Sequence, residues 1–198
     1  MVGPFPCGGP VTTLINVSGG IDSALVLHQA VQSGRKVLAH HIVLETRAGR
    51  HVKEAEAVPR ILEWVGGDVE YVESRFGWGD LERVRDVHVW ALFTGAILFR
   101  RPEVDEVGVC SHLDSFTRYD EHWRERCATV LEGFVQLTAG RQPRWWHPLA
   151  RMTKADIVAA CPPELFELAW WCRTPVGGNR CHRCLTCRQV SRALQKRS

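Results

Sequence analysis

The stretch from Thr12 to about Ser33 limits what this chain can fold into more than any other. Thr12 to Val17 is a short β-prone run, Ser18-Gly19-Gly20 is a turn, and a helical pattern follows from Asp22. Ala24, Leu25, Leu27, His28 and Val31 are available for one buried face of that helix, and Gly34 stops it. A strand that turns through two glycines into a helix is the first half of a βαβ unit, and the chain goes on alternating in the same way. Val37 to Leu44, nearly all apolar, suits a strand covered on both sides. Arg50 to Val65 reads as a second helix despite Pro59, closed by Gly66-Gly67, and Val69 to Val72 as a third strand. A helix from about Leu81 to Phe99 precedes a fourth strand, Val104 to Val109. Further helices run from Asp120 towards Leu137 and, capped by Thr153, from Lys154 to Ala160. The expected fold is α/β, a Rossmann-like parallel sheet with helices on both faces.

The turn carries chemistry as well as topology. Two glycines let the backbone approach a ligand closely, and the next helix aims its free N–H groups and positive dipole end at the same point. Ser18 and Ser23 add hydroxyl donors, while Asp22 either caps the helix or helps hold a hydrated Mg²⁺. The loop lacks the Gly-Lys-Ser/Thr ending of a Walker A motif and the GxGxxG of dinucleotide sites. A capped turn without ligand is the plainer alternative; the position between strand and helix favours a nucleotide. Ser18-Gly19-Gly20-Ile21-Asp22-Ser23 resembles the pyrophosphate loop of ATP pyrophosphatases, Ser-Gly-Gly-x-Asp-Ser. Those enzymes split ATP into AMP and pyrophosphate while activating a carbonyl or carboxylate oxygen. The resemblance implies an adenine nucleotide alpha-hydrolase-like fold, with ATP and Mg²⁺ held by Ser18, Gly19, Gly20, Asp22 and Ser23.

The 198-residue chain can bury roughly 70% of its unfolded surface and needs no covalent staples, yet it has eight cysteines. A secreted disulfide framework is not expected. Met1 to Pro10 holds six Gly and Pro residues and no basic-then-apolar stretch, so no secretion signal is read there. The longest apolar run, Val87 to Phe99, contains His88 and is too short to span a bilayer. The expected compartment is the cytoplasm. Net charge is only +3, too small to demand a membrane or nucleic-acid partner.

Cys172, Cys181, Cys184 and Cys187 are spaced C-x8-C-x2-C-x2-C, with Gly177-Gly178-Asn179 as a turn between the first ligand and the rest. Four thiolates suit tetrahedral Zn²⁺. An iron–sulfur run would continue with Cys-Pro where Ser191-Arg192 stand. A closed four-thiolate site is structural by default, and His182 reads as a surface residue beside it. Cys7, Cys110, Cys127 and Cys161 have no ligand spacing and read as ordinary thiols.

Both ends together resemble the 7-cyano-7-deazaguanine synthase family. Arg50-His51-x-x-Glu54 is similar to the family's Arg-His-x-x-Glu, and Gly108-Val109, Leu113-Asp114 and Asp120 to its mid-chain Gly-Val … Asp … Asp. His147-Pro148-Leu149 with Thr153-Lys154-Ala155-Asp156-Ile157-Val158 resembles Thr-Pro-Leu … Thr-Lys-Ala-Glu-Ile-Val, and Trp171-Cys172 opens the zinc segment. The likeness runs from about Leu14 to Val190. It departs at Val84-Arg85-Asp86-Val87-His88, where the family has Gly-Arg-Asn, at Asp120-Glu121-His122 for Asp-Cys-Arg, and across Ser115 to Tyr119.

The resemblance implies conversion of 7-carboxy-7-deazaguanine and ammonia to 7-cyano-7-deazaguanine, through an adenylated acid and an adenylated amide. Arg50, His51, Asp120 and Lys154 are the candidates for catalytic roles around the loop. Each has a plainer reading: a surface charge for Arg50 and Lys154, a first-turn residue for His51, a helix-opening acid for Asp120. Trp145-Trp146 and Trp170-Trp171 read either as packing or as a stack for a purine. The implied partners are a small 7-deazapurine acid, ammonia and a second copy of the chain in a homodimer, with no membrane and no nucleic acid as direct substrate. Residues 11–160 would form the ATP-binding domain and 161–198 a zinc segment packed on it.

Two alternatives stay open. One is an adenylating ligase for another carboxylate or nucleobase, prompted by the altered Arg85-Asp86 region. The other is a zinc-ribbon nucleic-acid-binding protein with a relic ATP site, prompted by Arg180, Arg183, Arg188, Arg192 and Arg197. Arginines outnumber lysines 21 to 4 over the whole chain, however, so that enrichment is not local. On the zinc reading, purified protein is colourless and contains about one zinc per chain by elemental analysis; a brown preparation with iron and sulfide contradicts it.

Overall fold

The structure, a computed structural model, describes residues 11–77, 86–116 and 122–195. Strands β1 (Thr12–Asn16), β2 (Lys36–Glu45), β3 (Val69–Gly77), β4 (Val104–Gly108) and β5 (Arg144–Trp146) form one sheet in the order β3-β2-β1-β4-β5. Every pairing is parallel. Helices α1 (Ile21–Gln32), α2 (Arg50–Val65), α3 (Asp86–Arg100) and α4 (Trp123–Ala139) lie between the strands. Then α5 (Lys154–Ala160), α6 (Pro163–Leu168) and α7 (Leu185–Gln195) complete the chain. The order reverses at β1: the chain first builds outward through β2 and β3, then returns to β1's other side with β4. Ligands of open parallel sheets bind beyond the carboxyl ends of the strands at such a switch point, and the Ser18–Ser23 loop leaves β1 there.

Alternation along the central strands explains the two layers. In β1, Ile15 joins the apolar cluster of α1, α2, α5, α6 and α7, while Leu14 joins that of α3 and α4. In β2, Val37 and Ala39 face the first cluster and Leu38 the second. Both strands are covered on both faces, which is why they read as nearly continuous apolar runs. Val190 and Ala193 of α7, Leu165 of α6 and Ile157 of α5 share the first cluster with Ile15 and Leu27, so the last forty residues complete the same core. Each such buried aliphatic side chain contributes about 1.5–3 kcal/mol.

Two strands differ from expectation. β3 runs on to Gly77, pairing with β2 as far as Glu45, where only Val69 to Val72 is strand-like in sequence. It is an edge strand with one open side, so Glu73 and Arg75 meet no apolar requirement and leave no apolar signal. β5 is three residues long and has no signal of its own; it pairs Glu106, Val107 and Gly108 with Arg144, Trp145 and Trp146.

A buried polar network ties β1, β2, β3 and α3 together. His40 Nδ1 and Asn16 Oδ1 are 2.9 Å apart, His40 Nε2 and Ser74 Oγ 3.0 Å, and Asn16 Nδ2 donates to Thr94 Oγ1 at 3.0 Å. Burial, reinforced by neighbouring His41, pulls the His40 pKa down to about 4, so the ring is neutral at pH 7. Among the described residues no helix is long and apolar enough to cross a membrane.

The two helices on the second face meet at Gly95, where a Cβ would lie 2.9 Å from Thr138 Cβ. Gly95→Val is therefore expected to cost about 1–3 kcal/mol by overpacking, read as a lower urea midpoint at an unchanged slope.

Candidate functional site

The loop after β1 folds around its own serines. Ser23 Oγ accepts from Ser18 N–H at 3.1 Å and donates to the Gly20 carbonyl at 3.1 Å, with Ser18 Oγ 3.2 Å from Ser23 Oγ. Gly20 is the N-cap of α1 and contributes no side chain, so the helix N-terminus is left to whatever enters the loop. Gly19 has φ +75°, and a Cβ there would stand 2.7 Å from the Glu54 carbonyl oxygen of α2. Its own carbonyl accepts from Trp170 N–H at 2.8 Å. The loop is thus held between α2 and the segment leading into the cysteines.

Asp22, in the first turn of α1, is the centre of a polar cluster. Lys154 Nζ donates to Asp22 Oδ1 at 2.5 Å, from a side chain only 5% exposed. Lys154 is placed by the capping box of α5, in which Thr153 accepts from Asp156 N–H, and its own N–H donates to Asp114 Oδ2 at 2.7 Å. His112 completes the group: Nε2 lies 3.8 Å from Asp22 Oδ2 and Nδ1 accepts from Asp114 N–H at 3.2 Å. Burial and the Lys154 ammonium pull the His112 pKa below the usual imidazole value, against Asp22 and Asp114. A Mg²⁺ ion keeps most of its waters and takes one or two carboxylates plus phosphate oxygens. One part-exposed carboxylate beside a phosphate-sized turn fits that donor set.

Arg50 and His51 open α2, but only Arg50 joins a charge network. Arg50 NH2 donates to Asp86 Oδ2 at 2.7 Å and Nε lies 3.8 Å from Glu54 Oε2, while Arg173 NH1 donates to the same Asp86 oxygen at 3.3 Å. Burial works against ionised Asp86, yet Arg50 and Arg173 outweigh it and hold the carboxyl below the usual range. Burial pushes Glu54 up, against the pull of Arg50. His51 instead accepts from Thr46 N–H through Nδ1 at 3.2 Å, fixing the turn before α2. Asp120 lies outside the described residues.

The four cysteines converge, with every sulfur within 4.8 Å of every other. Tetrahedral zinc at Zn–S of about 2.3 Å spaces its thiolates about 3.8 Å apart, so the cluster fits that ion. Cys181 N–H donates to Cys172 Sγ at 3.2 Å, Cys184 N–H to Cys181 Sγ at 3.3 Å and Cys187 N–H to Cys184 Sγ at 3.5 Å. Donors of this kind favour thiolate charge. Trp170 connects cluster and loop, since its Nε1–H donates to the Cys172 carbonyl at 2.9 Å while its backbone N–H holds Gly19.

The tryptophans are engaged by the protein itself. Trp171 packs against Phe166 at 4.8 Å and under the Arg180 guanidinium at 3.4 Å. Trp146 carries Arg35 at 4.2 Å, and Trp145 packs on the α3–α4 cluster. His112, Asp86 and Arg173 were not among the candidates from sequence. The signal for His112 was its place between Gly108-Val109 and Asp114, and for Asp86 the departure from the family's Gly-Arg-Asn; for Arg173, brought to Asp86 by folding, there was none.

No protein-family model matches the chain, and no curated protein matches it in sequence. Among solved structures, NMN synthetase from Francisella tularensis is similar over 94% of this chain and 77% of that one, with a TM-score of 0.51 at 12% identity. A universal stress protein in complex with cAMP covers 74% of this chain and 100% of that one, with a TM-score of 0.39 at 11% identity. At 12% identity the first likeness concerns the fold alone, a parallel α/β sheet with helices on both faces.

Gly19→Ala is expected to destabilise the protein by about 1–3 kcal/mol through strain at positive φ and the clash with α2, and to weaken ATP binding. Paired denaturation and nucleotide titrations read both effects; a variant equal to the parent in each contradicts the assigned packing.

Proposed function

We propose that the chain is an ATP-dependent ligase that activates a carboxylate by adenylation and passes it to ammonia, with 7-carboxy-7-deazaguanine as the acid and 7-cyano-7-deazaguanine as the product. The observation that carries the reading is the Ser18–Ser23 loop at the switch point of the sheet, with Lys154 bonded to Asp22 at its edge. NMN synthetase, similar in fold, is by name a synthetase, which agrees with a ligase.

A carboxylate resists attack by an amine because oxide is a poor leaving group. In the proposed reaction a carboxylate oxygen attacks the α-phosphorus of ATP and pyrophosphate departs. Ammonia adds to the acyl carbon, a proton is lost and AMP leaves, giving the primary amide. The amide oxygen then attacks a second ATP, pyrophosphate leaves again, and loss of AMP and a proton from the imidate closes the nitrile.

Loop N–H groups at the start of α1, with the Ser18 and Ser23 hydroxyls, would bind the charge growing on pyrophosphate. Lys154 supplies a buried cation at the same edge. Asp22 would hold Mg²⁺, which when bound neutralises triphosphate charge. Cys172, Cys181, Cys184 and Cys187 would hold Zn²⁺, which fixes the segment that carries Trp170. Arg50 acts at one remove, since its guanidinium is committed to Asp86.

That commitment favours a second reading, in which the chemistry is the same and the acid is different. Asp86 stands where the resembled family has Asn, and it occupies both Arg50 and Arg173. Incubation with Mg·ATP, ammonium and 7-carboxy-7-deazaguanine is expected to release AMP and pyrophosphate and to yield the nitrile by mass spectrometry. Asp22→Asn should lower pyrophosphate release about 100-fold or more. Turnover with another acid but not this one moves the assignment to the second reading, and no pyrophosphate release with any acid overturns both.

A further inference from the structure

We propose that His112 is a positioning residue for the phosphate loop: its Nε2–H steadies the Asp22 carboxylate when an incoming pyrophosphate group draws on the Lys154 ammonium that the carboxylate holds. This deepens the ATP reading above and rests on it.

Three hydrogen bonds link His112, Asp114, Lys154 and Asp22 in a chain, and the approach of His112 to Asp22 closes it. Asp114 N–H donates to His112 Nδ1 at 3.2 Å, Asp114 Oδ2 accepts from Lys154 N–H at 2.7 Å, and Lys154 Nζ donates to Asp22 Oδ1. Because Nδ1 accepts a backbone proton, the ring's own proton sits on Nε2. That N–H faces Asp22 Oδ2 at 3.8 Å, about 1 Å beyond hydrogen-bond length. His112 is itself fixed: it is 6% exposed, its N–H donates to Ser115 Oγ at 2.9 Å, and Leu113 N–H donates to the Met152 carbonyl at 2.9 Å.

The arrangement answers a problem of charge. Lys154 is buried and its ammonium is bonded to Asp22; with three N–H donors it can also turn to an incoming phosphate, which then shares the cation with that carboxylate. Asp22 would then exchange part of its hold on the ammonium for Mg²⁺, and its carboxylate has to keep its orientation through the exchange. A neutral N–H donor aimed at the second carboxylate oxygen holds the side chain in place without competing for the phosphate, which a second fixed cation would do.

The ring nitrogens have separate jobs, and substitutions separate them. Gln presents an N–H near the Nε2 position, whereas Asn presents an acceptor near the Nδ1 position. Affinity for ATP and for inorganic pyrophosphate, each with Mg²⁺, is measured by calorimetry on the full chain for the parent, His112→Gln, His112→Asn, His112→Ala and Asp22→Asn, and for His112→Ala combined with Asp22→Asn. The expected result is a loss of about tenfold in His112→Ala and His112→Asn, with most of the affinity kept in His112→Gln. In the Asp22→Asn background, His112→Ala should add less than a twofold change, because residues acting through one contact are not additive. Retention in His112→Asn with loss in His112→Gln would assign the residue to loop structure and overturn the proposal, as would full additivity with Asp22→Asn or parent affinity in His112→Ala. Equal loss in all three His112 variants would overturn it too. A parent chain that binds neither ligand would instead fail the ATP reading, and this inference with it.

Discussion

Everything at the carboxyl edge of the sheet depends on how closely backbone can approach Gly19. Its left-handed conformation brings it against the Glu54 carbonyl of α2, and its own carbonyl takes the Trp170 N–H. A side chain at that position would push α2 away from the loop. With glycine there, two pieces of chain more than thirty and one hundred residues distant become the walls of the turn. The start of α1 has no side-chain cap, so the helix N-terminus is left to a ligand.

Charge is distributed around this turn in two separate sets. Asp22, Lys154, Asp114 and His112 sit on the β4 and α5 side, where one buried ammonium and one carboxylate face the start of α1. On the other side Arg50, Glu54, Asp86 and Arg173 are knotted together, with two guanidiniums sharing one carboxylate oxygen. The first set is adjustable, since moving one ammonium rearranges it. The second is spent on structure, tying the starts of α2 and α3 to the segment just after Cys172. The cysteine segment reaches the loop through the Trp170 N–H bond to Gly19 and the start of α3 through Arg173 and Asp86.

Much of this could be read from residues in a row. The bounds of α2 and α5 agree with the sequence to the residue, and β1, β2, β4 and α1 agree within about two, because each has its own periodicity and its own glycine or cap. The end of β3 and the whole of β5 could not be read, since an exposed edge needs no apolar pattern and a three-residue strand is made by its neighbour. Among the candidate site residues, the four cysteines converge as their spacing suggests, and Lys154 meets Asp22 of the loop, which no spacing indicated. The structure puts His51 on the Thr46 N–H and Arg50 on Asp86.

The sequence by itself determined the parallel α/β alternation, the glycine turn from strand into helix and the thiol spacing that closes on one point. Each is a local pattern, set by the period of a strand or helix, by the freedom of glycine, or by the reach of a short loop. Tertiary structure alone decided which charges are spent and which remain to act. Asp86 and Arg173 are 87 residues apart, and Lys154 and Asp22 are 132 apart. Such pairs arise only where sheet order brings distant loops to one edge, so no spacing along the chain announces them. His112 belongs with these, because its meaning lies in what stands across from it.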